Sequence, residues 1–276
     1  MNKIILIFCG LFFTIASCKK NNTDPLPGDT GNTTGTPSEI AGLKDIIYPH
    51  LPSPYYHFEY DDQGKLKLAS FASDFFRYDV KYLDQRIIEM KNIFGNNNSL
   101  RFLYDNSGRI ILVNYLNDDG SVFRSVTLNY NGPMLTRLQR EEISGNDFTI
   151  NKTLSMSYDA DSNLSELKVF YPAFNGSEAV NLVYHFSQYD TKTNVDGFSL
   201  LHTEFFEQLI LLPGVRLQKN NPMKEMLTGD GNNYVVDYIY SYNSNDLPLT
   251  KAGDLVFTSG RDSGKHFQVN AFYSYY

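Results

Sequence analysis

Side chains capable of acid–base, nucleophilic or metal chemistry are plentiful in this 276-residue chain, but they are not spaced for it. His50, His57, His185, His202 and His266 stand far apart, with no HExxH pair, so nothing in the spacing calls for zinc. Asp159-x-Asp161-x-Asn163 opens like a calcium loop. The sixth position of such a loop must be Gly and is Leu164, and the twelfth must be a bidentate acid and is Phe170. The stretch reads instead as a hairpin turn. Thr228-Gly229-Asp230-Gly231-Asn232-Asn233 is likewise a turn, without the strand and helix that a phosphate-cradling loop needs. Serines lack a G-x-S-x-G elbow. Asp61-Asp62, Asp118-Asp119 and Glu141-Glu142 sit in turns or point to opposite faces of a strand, poorly placed to share a substrate. His185, between Tyr184 and Phe186, reads as a solvent-facing strand residue or a satisfied core position. No catalytic residue, metal ligand or cofactor site is assigned, and the expectation is a protein that is not an enzyme.

Charge narrows the partners. With 24 Lys+Arg against 31 Asp+Glu, the net charge of −7 argues against nucleic acid, whose affinity comes largely from cations neutralising phosphates. At the N-terminus Lys3 precedes an apolar run from Ile4 to Phe13, then small residues up to Cys18. That is a secretory-signal pattern, too short to span a bilayer. Ile15-Ala16-Ser17-Cys18 resembles the bacterial lipobox, which implies cleavage after residue 17, acylation of the Cys18 thiol and a membrane held through that lipid. Cys9 lies inside the signal, so no disulfide is expected within the domain.

Residues 18–39 follow as the lipidated cysteine and a linker, rich in Asn, Thr, Gly and Pro with Leu26 as its one large apolar side chain, and too polar to fold alone. Residues 40–276 are expected to form a single antiparallel β domain. Ile40, Leu43, Ile46 and Ile47 fit helical spacing, closed by Pro49. From residue 55 a phrase recurs: Tyr60-Asp61-Asp62-Gln63-Gly64-Lys65-Leu66, Tyr82-Leu83-Asp84-Gln85-Arg86-Ile87 and Tyr104-Asp105-Asn106-Ser107-Gly108-Arg109-Ile110, with weaker copies at Tyr130, Tyr158, Tyr189 and Tyr242. In each, a strand ends on Tyr, an Asx side chain bonds the backbone two residues on, Gly takes a positive φ, and an aliphatic residue starts the return strand. Such hairpins predict a mainly β chain of fourteen or more strands, curled into a rolled sheet or partial barrel. Leu201, Phe205, Leu209 and Leu212 share a helical face, ended by Pro213-Gly214. A helix over 199–212 is expected to plug or cover the sheet, the alternative being a buried strand pair. Asn221-Pro222 reads as the cap of one more helical turn.

The Tyr-Asp-x-x-Gly-Arg phrases resemble the YD repeats of RHS-type proteins, which form long curled antiparallel sheets. Together with the lipobox, its polar spacer, Lys219-Asn220-Asn221-Pro222 and the aromatic last strand, they resemble uncharacterised lipoproteins of Bacteroides type. The resemblance implies an outer-membrane lipoprotein on the periplasmic or cell-surface face, and carries no activity over to any residue. The leading functional expectation is a non-catalytic binding or scaffold module of the cell envelope, with the membrane as partner through Cys18 and a glycan or an envelope protein as candidate ligand. Glycan capture through some of the 20 Tyr and 20 Phe is one rival, although Trp, the best stacking surface, is absent; metal-independent hydrolysis is the other. The repeat tyrosines themselves are expected to pack on the neighbouring hairpin with their hydroxyls in water.

Overall fold

The computed structural model describes residues 40, 42–93, 99–144, 147–174, 176–205 and 211–276. The signal, Cys18 and the linker lie outside the described residues. Strands run in order as β1 (Leu43–Ile47), β2 (Tyr56–Tyr60), β3 (Leu66–Phe71), β4 (Phe76–Leu83), β5 (Arg86–Asn92) and β6 (Ser99–Tyr104). They continue as β7 (Ile110–Leu116), β8 (Val122–Asn131), β9 (Met134–Ser144), β10 (Asp147–Tyr158), β11 (Leu164–Tyr171) and β12 (Val180–Thr193). After helix α1 (Phe198–Phe205) come β13 (Asn220–Gly229), β14 (Asn233–Tyr242), β15 (Pro248–Ser259) and β16 (His266–Tyr275). Each strand pairs antiparallel with its chain neighbours, and β1 pairs with β16, so the sheet is a closed barrel.

Closure corrects the expected rolled sheet or partial barrel, and its cause lies in the segment read as a helix. Leu43 and Ile46 are three apart, yet both are buried because a bulge between Leu43 and Asp45 shifts the strand's phase. What looks like helical spacing is therefore a bulged strand. Without it β2 and β16 would be two open edges; with it every edge is paired. Asn221-Pro222 is also strand rather than helical turn: Pro222 lies opposite Tyr189, beside the irregular register of Tyr189 to Thr193, where a missing N–H is tolerated.

The phrases behave as turn devices. Asp61 Oδ1 accepts the amides of Gln63 and Lys65 at 2.9 Å each, and Asp105 Oδ1 does the same for Ser107 and Arg109. Gly64 and Gly108 take φ of 74° and 81°; the second copy, without Gly, puts Asp84 and Gln85 at 47° and 67° in a tighter turn. Register slips by one residue at Tyr60, Tyr82, Tyr104, Tyr130, Tyr158 and Tyr242.

The hydroxyls do not reach water as expected. Five of the seven donate to the carbonyl of an aliphatic residue at the start of the return strand of the preceding hairpin: Tyr82 to Leu66 at 2.7 Å, Tyr104 to Ile87 at 2.5 Å, Tyr130 to Ile110 at 2.9 Å, Tyr158 to Leu135 at 2.7 Å and Tyr189 to Leu164 at 2.6 Å, while Tyr60 donates to Ile40 and Leu43 and Tyr242 to the Asp190 carboxylate. In the three strong copies the turn cation also lies over the next tyrosine ring: Lys65 over Tyr82, Arg86 over Tyr104 and Arg109 over Tyr130, at 5.9, 5.6 and 5.0 Å. One rim of the barrel is thus a ring of rungs from hairpin to hairpin.

A ring of sixteen strands is wide enough to leave a channel unless something fills it. Residues 194–205 and 211–218 do so. Helix α1 touches β2 through Phe198 and Tyr56, with ring centroids 5.0 Å apart, and β10 through Glu204 and Lys152, with Oε2 and Nζ 2.7 Å apart. β2 and β10 are eight strands apart in the ring, so only a helix inside the barrel reaches both. Val195, Leu201, Leu211, Leu212, Val215 and Leu217 join the same buried core as the strands. The helix expected over 199–212 is thus a plug; residues 206–210 lie outside the described residues, and Leu211 and Leu212 are buried but not helical.

The outward phase mixes charged pairs with exposed apolar side chains. Asp45 faces His57 at 2.7 Å, Lys81 faces Glu89 at 3.1 Å, Lys224 faces Asp237 at 3.1 Å and Asp254 meets His266 at 2.9 Å. Glu89 lies opposite Arg101, Asp79 opposite Lys91, and Glu166 opposite His185. Apolar side chains on the outside are interspersed among polar ones, as with Ile239 between Asp237 and Ser241 on one strand face. A lipid-facing band is apolar, and a Lys or Arg at its midplane costs about 2–4 kcal/mol, so charges placed on the wall as these are would be costly in such a band.

Candidate functional site

A cavity of about 430 Å³ lies between α1 and the wall, lined chiefly by β12 to β16 with Leu167 of β11 and Tyr56 of β2. Tyr48, Leu51 and Tyr55 of the β1–β2 connection line it, which sets its mouth at the rim opposite the Tyr-Asp turns. The chain enters the barrel at the turn rim, where the Tyr60 hydroxyl donates to the carbonyls of Ile40 and Leu43. The cavity therefore opens at the end away from residue 40.

Three carboxylates organise its interior. Glu204 on α1 accepts Lys152 Nζ at 2.7 Å and the Tyr184 hydroxyl at 2.8 Å; Lys152 and Glu204 are 1% and 7% exposed, and Lys152 Nζ also donates to the Glu204 carbonyl. Burial lowers the Lys152 pKa against the opposing pull of Glu204. Asp196, just before α1, accepts the Tyr273 hydroxyl at 2.6 Å and lies 3.5 Å from Lys251 Nζ. Burial opposes the charge on Lys251, but Asp196 and then Glu225 outweigh it and raise its pKa. Glu225 on β13 accepts the Tyr234 hydroxyl at 2.6 Å and the Tyr238 hydroxyl at 3.0 Å. Desolvation first, then Glu225, push both phenols up, so they stay protonated donors.

His202, one turn along α1, meets Tyr56 with Nδ1 and hydroxyl 2.7 Å apart, and its ring lies 4.4 Å from that of Phe71. Burial lowers its pKa to about 4, so the ring is neutral at neutral pH and holds the helix against β2 and β3. Of the other histidines, His57 and His266 pair with outer-wall carboxylates, His50 is exposed, and His185, 40% exposed, lies 3.9 Å from Glu166. Asp159 spends Oδ1 on the amides of Asp161 and Asn163, at 3.0 and 2.9 Å, and Asn163 Oδ1 accepts from Lys219 and Asn220 at 2.9 and 2.8 Å. Those oxygens make a turn and clamp it to the plug's exit.

The site residues were not among those that motif spacing picks out. Their signal is charge on the apolar phase of a strand: Lys152 alternates in step with Leu154 and Met156, and Glu225 in step with Leu227. Likewise the cavity rings, Tyr48, Tyr55, Tyr56, Tyr184, Tyr234 and Tyr238, lie outside the Tyr-Asp phrases.

The chain matches no protein-family model and no curated protein. Among solved structures it is similar to a porin-like protein from Bacteroides uniformis, with a TM-score of 0.57 and 12% identity over 89% of this chain and 100% of that one. A porin-like protein from Bacteroides vulgatus aligns with a TM-score of 0.56 and 14% identity over 85% and 98% of the two chains. At such identity the likeness is one of fold, and the fold it supports is the closed barrel.

Proposed function

We propose that this chain is a non-catalytic binding module of the outer membrane, tethered through lipid on Cys18, whose barrel stands in water and receives its ligand in the plugged lumen. The observation that carries this reading is the charged outer wall, which suits a tether rather than a spanning barrel. Porin-like barrels from Bacteroides among its structural neighbours support an outer-membrane setting. The cavity mouth lies at the rim opposite the one where residue 40 enters the barrel. Hydrolysis is the weaker reading: Glu204 is held in an ion pair with Lys152 and Glu225 accepts two tyrosine hydroxyls, so both carboxylates are engaged in holding the lumen together.

Cell fractionation tests the tether. The native chain is expected in the membrane pellet, and Cys18→Ser, which removes the acylated thiol, in the soluble fraction. A Cys18→Ser chain that stays in the pellet and is released only by detergent contradicts the reading.

A further inference from the structure

We propose that the lumenal cavity binds a small organic cation, an ammonium on a short stem, with Glu225 as counter-charge and Tyr184 and Tyr234 as aromatic walls. This rests on the reading of the lumen as the ligand site and adds the chemistry of the ligand. The charges lining the space are Glu204, Glu225 and Lys251, with Lys152 and Asp196 directly behind them. Glu204 is paired with Lys152 at 2.7 Å, and Asp196 with Lys251 at 3.5 Å. Glu225 enters no ion pair among the described residues; its oxygens hold two tyrosine hydroxyls, at 2.6 and 3.0 Å. Hydroxyls solvate a carboxylate without cancelling its charge, so the lining of the cavity carries one excess negative charge, screened less than it would be in open water. A bound cation removes that excess; an anion adds to it.

The rings point the same way. Lys251 Nζ already stands 4.4 Å from the centroid of Tyr238 and 5.9 Å from that of Tyr240, so tyrosine faces in this wall serve as platforms for positive charge. A neutral sugar needs donors as well as acceptors, and the Tyr184, Tyr234 and Tyr238 hydroxyls are spent on Glu204 and Glu225. The volume of about 430 Å³ falls in the range of small-molecule sites.

Titration calorimetry on the full chain in a polyoxyethylene detergent separates the possibilities with three probes: choline, its neutral shape-match 3,3-dimethylbutan-1-ol, and glucose. Choline is expected to bind at least about tenfold more tightly than the alcohol. In Glu225→Gln, whose amide oxygen still accepts a tyrosine hydroxyl, choline affinity is expected to fall to that of the alcohol. The choline-to-alcohol ratio on the native chain carries the test even if that variant does not fold. Equal binding of choline and alcohol, or tighter binding of glucose, overturns the cation assignment while leaving the lumen as the ligand site. Absence of binding by all three overturns both.

Discussion

Replacing Lys152 with methionine is expected to destabilise the barrel by about 3–5 kcal/mol, read from the urea midpoint of the native and variant chains. The size of the effect comes from what is left behind. Lys152 Nζ and Glu204 Oε2 meet at 2.7 Å in the lumen with almost no solvent around them. Methionine fills a similar volume but leaves the carboxylate buried with neutral tyrosine hydroxyls as partners, Tyr184 at 2.8 Å among them, and no ion pair among the described residues. Adding Glu204→Gln removes the stranded charge and is expected to restore most of the loss, because a buried pair replaced as a unit is often close to neutral. The same contact pins α1 to β10, so the single variant is also expected to loosen the plug. A Lys152→Met cost below about 1 kcal/mol contradicts the burial of this pair.

The second large effect belongs to the rungs. Tyr→Phe at 82, 104, 130, 158 and 189 leaves every ring and its packing in place and removes only the hydroxyl that binds the preceding hairpin. Each hydroxyl is expected to contribute about 1 kcal/mol, and all five together roughly 5 kcal/mol, comparable to the whole stability of many domains. Chemical denaturation of the single variants and of the fivefold one checks this. Losses near zero throughout mean the hydroxyls exchange with water at no cost and do not tie hairpins together.

How much of this was legible follows from what each residue's neighbours in sequence can reveal. The turns were, because an Asx oxygen, the amides it accepts and the residue at positive φ lie within five positions of one another. The plug was legible as an apolar helical face, although not its position inside a ring. Closure was hidden by one bulge: between Leu43 and Asp45 the strand gains a residue, and an inward pair three apart imitates a helix. The rungs were half legible. Tyr104 and Ile87 are 17 positions apart, and only the pairing of hairpins brings that hydroxyl to that carbonyl. The site was the least legible, since Lys152 and Glu204 are separated by 52 positions and meet only once the plug enters the barrel. A lysine in step with Leu154 and Met156 marks a buried charge but does not say which partner meets it.

Ionisation of the phenols tests most directly the claim that the repeated tyrosines spend their hydroxyls on neighbouring hairpins. Desolvation raises the pKa of Tyr82, Tyr104 and Tyr189, and pushes that of Tyr130 up to about 12. An unfolded phenol loses its proton near pH 10, so above that pH the unfolded chain is favoured and stability falls. Absorbance near 295 nm, followed together with circular dichroism on raising the pH, is expected to show these phenols ionising in one step that coincides with loss of the sheet. Gradual ionisation centred near pH 10, with the barrel intact, would contradict the account.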